Sequence, residues 1–132
     1  FTHRDIATAL IGARRRGVEV IVIADPQQAD RIETSVIDDL AVAKVPVLMD
    51  HDHVSAHNKI MVIDSGAPGC AVVTGSYNFT HAAQFKNAEN LVVLKGNSPV
   101  CEAYEKNWKR HRSHSKKYEK NAVSTEPLTP KR

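Results

Sequence analysis

Two short polar segments carry side chains suited to phosphodiester chemistry. The first is His57-Asn58-Lys59, followed after four further residues by Asp64, and the second is Gly75-Ser76-Tyr77-Asn78. A phosphodiester has two non-bridging oxygens whose charge must be held while phosphorus becomes five-coordinate. A lysine with hydroxyl and amide donors can hold that charge without a metal, so the histidine is free to attack phosphorus.

The spacing of the first segment should bring its histidine and lysine together. In a strand, side chains two residues apart share a face, so His57 and Lys59 are expected to project together, about 7 Å apart. Asp64 lies seven residues beyond His57 and falls on the opposite face of a regular strand. We therefore expect Asp64 to have a structural or supporting role and not to act as the base.

The second segment repeats this spacing of two residues. Ser76 and Asn78 follow a predicted strand, 71–74, and are expected to converge with Lys59 on one anion as substrate-binding groups. Gly75 is expected to have a structural role, since a residue without Cβ lets the backbone come close to a bound group.

The surrounding sequence alternates between helical and strand patterns. Helical periodicity or helix signals cover 2–16, 30–43, 80–85 and 99–111, and apolar runs typical of strands cover 18–24, 45–49, 60–63, 71–74 and 91–94. This order predicts an α/β fold built on a mixed, largely parallel sheet with helices on both faces. Because helical sequence starts at Thr2, we expect an N-terminal strand to be missing from the chain.

Bulk properties set limits on the domain organisation and the partners. The chain has 132 residues, enough for one domain, and a net charge of +3 with a pI near 9.0, a mild bias towards polyanions. We expect a catalytic domain over 1–115 and a basic, poorly ordered tail over 116–132. No apolar stretch predicts a signal peptide or a membrane span in the sequence as given, so membrane association is not expected and localisation is not readable.

The pattern H-x-K-x4-D followed by G-S-x-N resembles the phospholipase D superfamily. The gap of ten residues between Asp64 and Gly75 is longer than is usual there, and the turn 65–69 absorbs the excess. The run from Gly75 to Val93 further resembles the small bacterial endonucleases of that superfamily. The resemblance covers most of the chain up to about Trp108 and implies a phospholipase D-like fold.

The resemblance also implies roles for single residues. It makes His57 the nucleophile, assigns Lys59 and Asn78 to the catalytic set, and makes Glu89 the acceptor of a hydrogen bond that orients His57. Larger members carry two motif copies and need both, whereas this chain has one. A homodimer is therefore implied, in which one His57 attacks and its mate protonates the leaving oxygen. The reaction passes through a phosphohistidine, without cofactor or metal.

Three functions fit these observations. The first is a low-specificity endonuclease cleaving DNA or RNA, for which the resemblance slightly favours a bacterial periplasmic or secreted location. The second is a phospholipid hydrolase of the same superfamily, because the site recognises only a diester. The third is a nucleic-acid-binding module that keeps the fold without the chemistry.

Other polar clusters allow alternative interpretations. His51, His53 and His57 have spacing compatible with zinc, but a loop leading into the catalytic segment is the favoured interpretation. His114-Ser115-Lys116 imitates the start of the motif, but position 121 is Asn and no G-S-x-N follows. We therefore predict no metal site and no second motif copy.

Two further features bear on partners and compartment. From Lys106 to Lys120 there are seven Lys and Arg against one acid, interleaved with Trp108 and Tyr118. This mix suits a phosphate backbone and stacking bases, or else a solvated helix end whose Trp108 packs into the core. Cys70 and Cys101 could pair, but two cysteines make no disulfide framework, and free thiols are expected.

Overall fold

A computed structural model describes residues 1–27 and 36–119. Four helices have their bounds within these residues: α1 (Arg4–Arg15), α2 (Ile37–Val42), α3 (His81–Phe85) and α4 (Ser98–His114). The strands are β1 (Val22–Ala24), β2 (Val47–Asp50), β3 (Ile60–Ile63), β4 (Ala71–Gly75), β5 (Leu91–Lys95) and β6 (Ser115–Lys117). The predicted helix 30–43 lies partly outside the described residues.

The strands form two sheets of three. In the first sheet the order is β1-β2-β6, with β1 and β2 parallel and β6 antiparallel to β2. In the second sheet the order is β3-β4-β5, antiparallel throughout. The α/β class and the mixed sheet are thus confirmed. Parallel pairing is scarcer than expected, because a short turn such as 64–70 can join only antiparallel neighbours.

The main core lies between the first sheet and the helices α1 and α2. Its buried members, all under 5% exposed, are Ala7, Val36, Ile37, Leu40, Val45, Val47 and Met49. Helix α2 presents Ile37 and Leu40 to β2 because residues three apart lie on one face of a helix. This packing removes aliphatic side chains from water, which is the dominant favourable contribution to folding.

The C-terminal segment continues the fold beyond residue 115. The sequence predicted a poorly ordered tail from Lys116, but Ser115–Lys117 forms β6 on the edge of β2. Tyr118 then packs on the main core, where its hydroxyl donates to Asp38 Oδ1 at 2.6 Å and its N–H donates to the Val47 carbonyl at 2.9 Å. The predicted start of the tail is therefore wrong, and residues 120–132 lie outside the described part.

A smaller core joins the second sheet to helix α4. It consists of Cys70, Val72 and Cys101, with Val100 and Tyr104 packed against it. The two cysteines form a disulfide with their Cα atoms 6.4 Å apart, so the expectation of free thiols is wrong. The packing of α4 across β4 brings these residues together, and a spacing of 31 residues gave no sign of it.

Candidate active site

His57 and Lys59 lie side by side just before β3. Lys59 Nζ is 3.1 Å from His57 Nδ1 and donates to the His57 carbonyl at 2.8 Å. His57 is exposed and Lys59 is half-buried, both in an irregular segment because strand pairing begins only at Ile60. The predicted juxtaposition is present, although a strand is not its cause. For Nε2 to attack phosphorus, the neutral imidazole must carry its proton on Nδ1, and Lys59 then donates to the His57 carbonyl and not to the ring.

Gly75 ends β4 at a point where the backbone of a neighbouring strand comes very close. Its φ is +142°, and an added Cβ would lie 2.1 Å from the carbonyl oxygen of Asn90. The next residue, Ser76, donates its N–H to that same oxygen at 3.0 Å. Gly75 therefore permits the close approach of the segment leading into β5, and the predicted approach of a bound group to its backbone stays a prediction.

Glu89 contacts Ser76 and Asn87 and not the histidine. Ser76 Oγ donates to Glu89 Oε2, and Asn87 Nδ2 donates to Oε1 at 3.2 Å. These hydrogen bonds outweigh the desolvation that opposes them and, with the charge of Lys59, lower the pKa of Glu89. No hydrogen bond joins Glu89 to His57 within the described residues, where the carboxylate accepts from Ser76 and Asn87. The expected orienting contact is not formed in this chain.

An open cleft of about 870 Å³ collects the other predicted site residues. Its lining includes all but two of them, namely His57, Lys59, Gly75, Ser76 and Asn78. Asp64 lies outside it, in the turn after β3, where its φ is +50° and its carbonyl accepts from Ala67 N–H at 3.0 Å. Asp64 therefore shapes the turn, and Glu89 lies behind Ser76.

Helix α4 forms the opposite wall of the cleft. It contributes Tyr104 and Asn107, which the sequence analysis did not single out. Their spacing of three residues places them on one helix face, a signal that could have been found. Tyr104 also packs on the disulfide cluster, so the covalent link between Cys70 and Cys101 helps to position this wall.

The basic C-terminal segment has less free aromatic surface than expected. Arg112 lies over the Trp108 ring at 5.6 Å, a cation–π contact on a half-buried side chain. Tyr118 is partly buried and packs against the main core. The exposed cations of α4 and β6 remain accessible, and nucleic-acid contact by this segment stays a prediction.

The structure contains a cluster of side chains that could hold a metal ion, but it is not the histidine set grouped from the sequence spacing. Among the described residues, His51 and His57 do not join His53 in such a cluster. Instead, His53 lies with Asp50 from the end of β2 and with His111 and His114 from the end of α4. The sequence analysis set aside His114 as part of a false motif copy, although its spacing of three from His111 was visible.

No helix in the described part of the chain is both long and apolar enough to cross a membrane.

The α/β fold places histidine, lysine, hydroxyl and amide groups in one open cleft. Residues 1–112 match the family model described as "Cardiolipin synthase, PLD-like domain". The chain belongs to the phospholipase D superfamily.

Curated relatives and a solved structure give the extent of the similarity. A phospholipase D of Rickettsia conorii is 39% identical over 103 residues, which cover 78% of this chain and 48% of that protein. A mitochondrial cardiolipin hydrolase of Chlamydomonas reinhardtii is 33% identical over 70% of this chain and 40% of its own length. The chain spans about half the length of these curated relatives.

Among solved structures, the phospholipase D family member Nuc from Salmonella typhimurium superposes with a TM-score of 0.82 at 30% identity. The superposition covers 91% of this chain and 77% of that one. At this level of agreement the described chain and Nuc share the same fold.

Proposed function

We propose that two copies of this chain form a homodimer that hydrolyses phosphodiesters of nucleic acid through a phosphohistidine, with little sequence preference and no catalytic metal. One observation carries the proposal. His57, Lys59, Ser76 and Asn78 line a single cleft that is open to solvent. These groups are a nucleophile, a cation and two neutral donors, which is what attack on a phosphodiester requires.

The need for two copies follows from the proton balance. His57 must be neutral to attack phosphorus, and the leaving oxygen must receive a proton from another group. Within the described residues no second histidine lines the cleft. In a two-fold dimer the partner subunit's His57 supplies that proton, and general acid catalysis of this kind contributes about 10² to 10⁴-fold.

The proposed reaction has two balanced steps. His57 Nε2 attacks phosphorus, the P–N bond forms, the P–O bond breaks, and the partner subunit's His57 protonates the leaving alkoxide. Water then attacks phosphorus and gives its proton to that same imidazole, while the P–N bond breaks and a phosphate monoester leaves. Lys59 and Asn78 hold the non-bridging oxygens throughout, and Ser76 joins them when its hydroxyl turns from Glu89 to the substrate.

Nucleic acid is the proposed substrate because of the charge and shape around the cleft. The cleft is open rather than enclosed, and its wall α4 continues into the exposed cations Arg112, Lys116 and Lys117. Tyr104 offers an aromatic edge beside Asn107. The disulfide fits an oxidising compartment, which supports the proposed periplasmic or secreted location.

The test is nicking of plasmid DNA in excess EDTA by the wild type, His57→Ala and the matched control His51→Ala. His51 is an exposed histidine in the preceding loop, outside the cleft. We expect chelator-resistant nicking by wild type and control, and a loss of about 10³-fold or more in His57→Ala. Full activity of His57→Ala would overturn the proposal. Salt-sensitive binding without cleavage by any variant would indicate the catalytically silent module.

The printed names of the relatives favour a second candidate, a phospholipid hydrolase. The cleft chemistry is the same, so the discriminating assay offers cardiolipin vesicles and plasmid to the same preparation. Vesicle hydrolysis without DNA nicking, lost in His57→Ala, would replace nucleic acid by lipid as the substrate. Nicking without vesicle hydrolysis supports the nuclease.

A further inference from the structure

The structure assigns a zinc-binding site to Asp50, His53, His111 and His114, which we call the Asp50 tetrad. It lies where the end of β2 meets the last turn of α4. Each residue offers one ligand atom, and these four atoms all lie within 4.8 Å of one another. The site is separate from the cleft, since none of its members is among the residues that line it.

Three of the six distances within the tetrad are close to the edges of a tetrahedron. Asp50 Oδ2 is 2.9 Å from His53 Nδ1, 3.4 Å from His111 Nδ1 and 3.3 Å from His114 Nε2. With Zn–N and Zn–O bonds of about 2.0 to 2.2 Å, ligand atoms around tetrahedral zinc are separated by about 3.3 to 3.6 Å. Three imidazoles thus surround one carboxylate oxygen at nearly the spacing that zinc imposes.

Burial and unsatisfied polarity favour a cation at this point. Asp50 is 2% exposed, and its Oδ1 is fixed by the Asp52 N–H at 3.0 Å. His111 Nδ1 is buried, faces Asp50 Oδ2, and has no hydrogen-bond partner among the described residues. A buried imidazole nitrogen without a partner is costly, and a bound cation would satisfy it.

The donor types also fit zinc. Three imidazole nitrogens around one carboxylate oxygen are a donor set that zinc takes in proteins.

The outward-facing nitrogens of the tetrad have the neighbours that metal-bound histidines usually have. His114 Nδ1 is 3.6 Å from a carboxylate oxygen of Asp52, which can accept the N–H of a ligating imidazole and fix its tautomer. His111 Nε2 is 3.4 Å from Asn58 Nδ2, a donor, so ligation through His111 Nδ1 requires the Asn58 amide to turn and present its oxygen to Nε2.

The donor set selects among metals and indicates the role. Three nitrogens and one oxygen suit zinc, whereas calcium and magnesium take oxygen ligands. Four protein ligands leave no open position, so the ion would be structural. It would connect the end of β2 to helix α4 where Asp50 pairs with Ser115. Through Asn58 it would also restrain the segment that carries His57.

The test measures binding of the metal alone. Metal-stripped protein is titrated with Zn²⁺ against a competing chelator, and Co²⁺ is added separately so that its visible spectrum reports the coordination geometry. We expect one Zn²⁺ per chain and a tetrahedral Co²⁺ spectrum. His53→Ala should lose about 100-fold or more in affinity, and the matched control His51→Ala should bind like the wild type.

Two controls keep the outcomes separable. His53 is the most exposed ligand, with 49% of its side chain accessible, so its variant should fold, and circular dichroism without zinc checks this. His57→Ala should bind zinc like the wild type while losing cleavage, which separates this inference from the proposed function. No zinc binding, or equal binding by His53→Ala, would leave the tetrad as a hydrogen-bonded cluster and overturn the proposal. Loss of zinc in His57→Ala would place the metal at the cleft and overturn it as well.

Discussion

The first sheet and the second sheet bury their strands to different extents. In β2 of the first sheet, Val47, Met49 and Asp50 are all under 5% exposed. In β5 of the second sheet every residue is exposed, from Leu91 at 53% to Leu94 at 38%. The second sheet carries the cleft, yet the core cluster beside it has three buried members among the described residues, two of them the disulfide cysteines.

This difference indicates two ways of holding a fold together. The first sheet depends on many aliphatic contacts, and the second depends on a few specific attachments. Those attachments are the disulfide, the close contact of Gly75 with Asn90, and the hydrogen bonds around Ser76. If this contrast is right, single changes in the second sheet should act locally and strongly.

The largest expected effect is that of Gly75→Ala. The new Cβ would lie 2.1 Å from the Asn90 carbonyl oxygen at a φ of +142°, so the backbone must shift. We expect a loss of about 4 kcal/mol or more in the free energy of unfolding, measured by urea denaturation. Hydrogen exchange should show lost protection in β4 and β5 before β1 and β2.

Gly69→Ala is the matched control for this prediction. Gly69 precedes β4, and a Cβ there would meet no atom within 4 Å. We expect a change within about 0.5 kcal/mol. Equal effects of the two substitutions would contradict the attachment at Gly75.

The next effect concerns the disulfide. Converting Cys70 and Cys101 together to alanine opens a loop closed across 31 residues, and we expect the free energy of unfolding to fall by about 3.5 kcal/mol. A reducing agent should lower the stability of the wild type by a similar amount and leave the double variant unchanged. An effect of the reductant on the double variant would show that it acts elsewhere.

Local elements were largely predictable from the sequence, whereas long-range contacts were not. Strand Ile60–Ile63 has the predicted bounds because a short apolar run bounded by polar residues and a glycine turn has few alternatives. Strand β6 has no apolar pattern, since Ser115–Lys117 is an edge strand selected by its pairing with β2. The disulfide was missed for the same reason, because it depends on how α4 packs.

The candidate site shows the same division. The proximity of His57 and Lys59 follows from their spacing even without a strand, because two residues apart is close in any extended segment. The contacts of Glu89 differ from the expected ones, since its carboxylate accepts from Ser76 and Asn87 in the described residues. The Asp50 tetrad joins two segments about sixty residues apart. The sequence spacing instead grouped His53 with His51 and His57, which are not in the tetrad.

A smaller effect is expected in the first sheet from Leu40→Ala. Leu40 is fully buried in the main core, and removing its side chain leaves a cavity that many neighbours share. We expect the free energy of unfolding, measured by urea denaturation, to fall by about 3 kcal/mol. Hydrogen-exchange protection should fall in β1 and β2. Val42→Ala, at a position 73% exposed on the same helix, should change stability by under about 0.5 kcal/mol. Loss of protection confined to β4 and β5 would contradict the contrast between the sheets.

The smallest effect is a pH dependence at Glu89, another specific attachment of the second sheet. Hydrogen bonds from Ser76 and Asn87 lower the pKa of Glu89 in the folded chain. Its contribution to stability is therefore fully present above the unfolded-state pKa, about 4.3, and is lost as the pH falls through the folded-state pKa. Glu89→Gln should be less stable than the wild type at neutral pH, and the difference should shrink below about pH 4. The matched control is Glu102→Gln, at an exposed position of α4. If the stability difference between Glu89→Gln and the wild type stayed constant with pH, the charge of the Glu89 carboxylate would not be what holds Ser76.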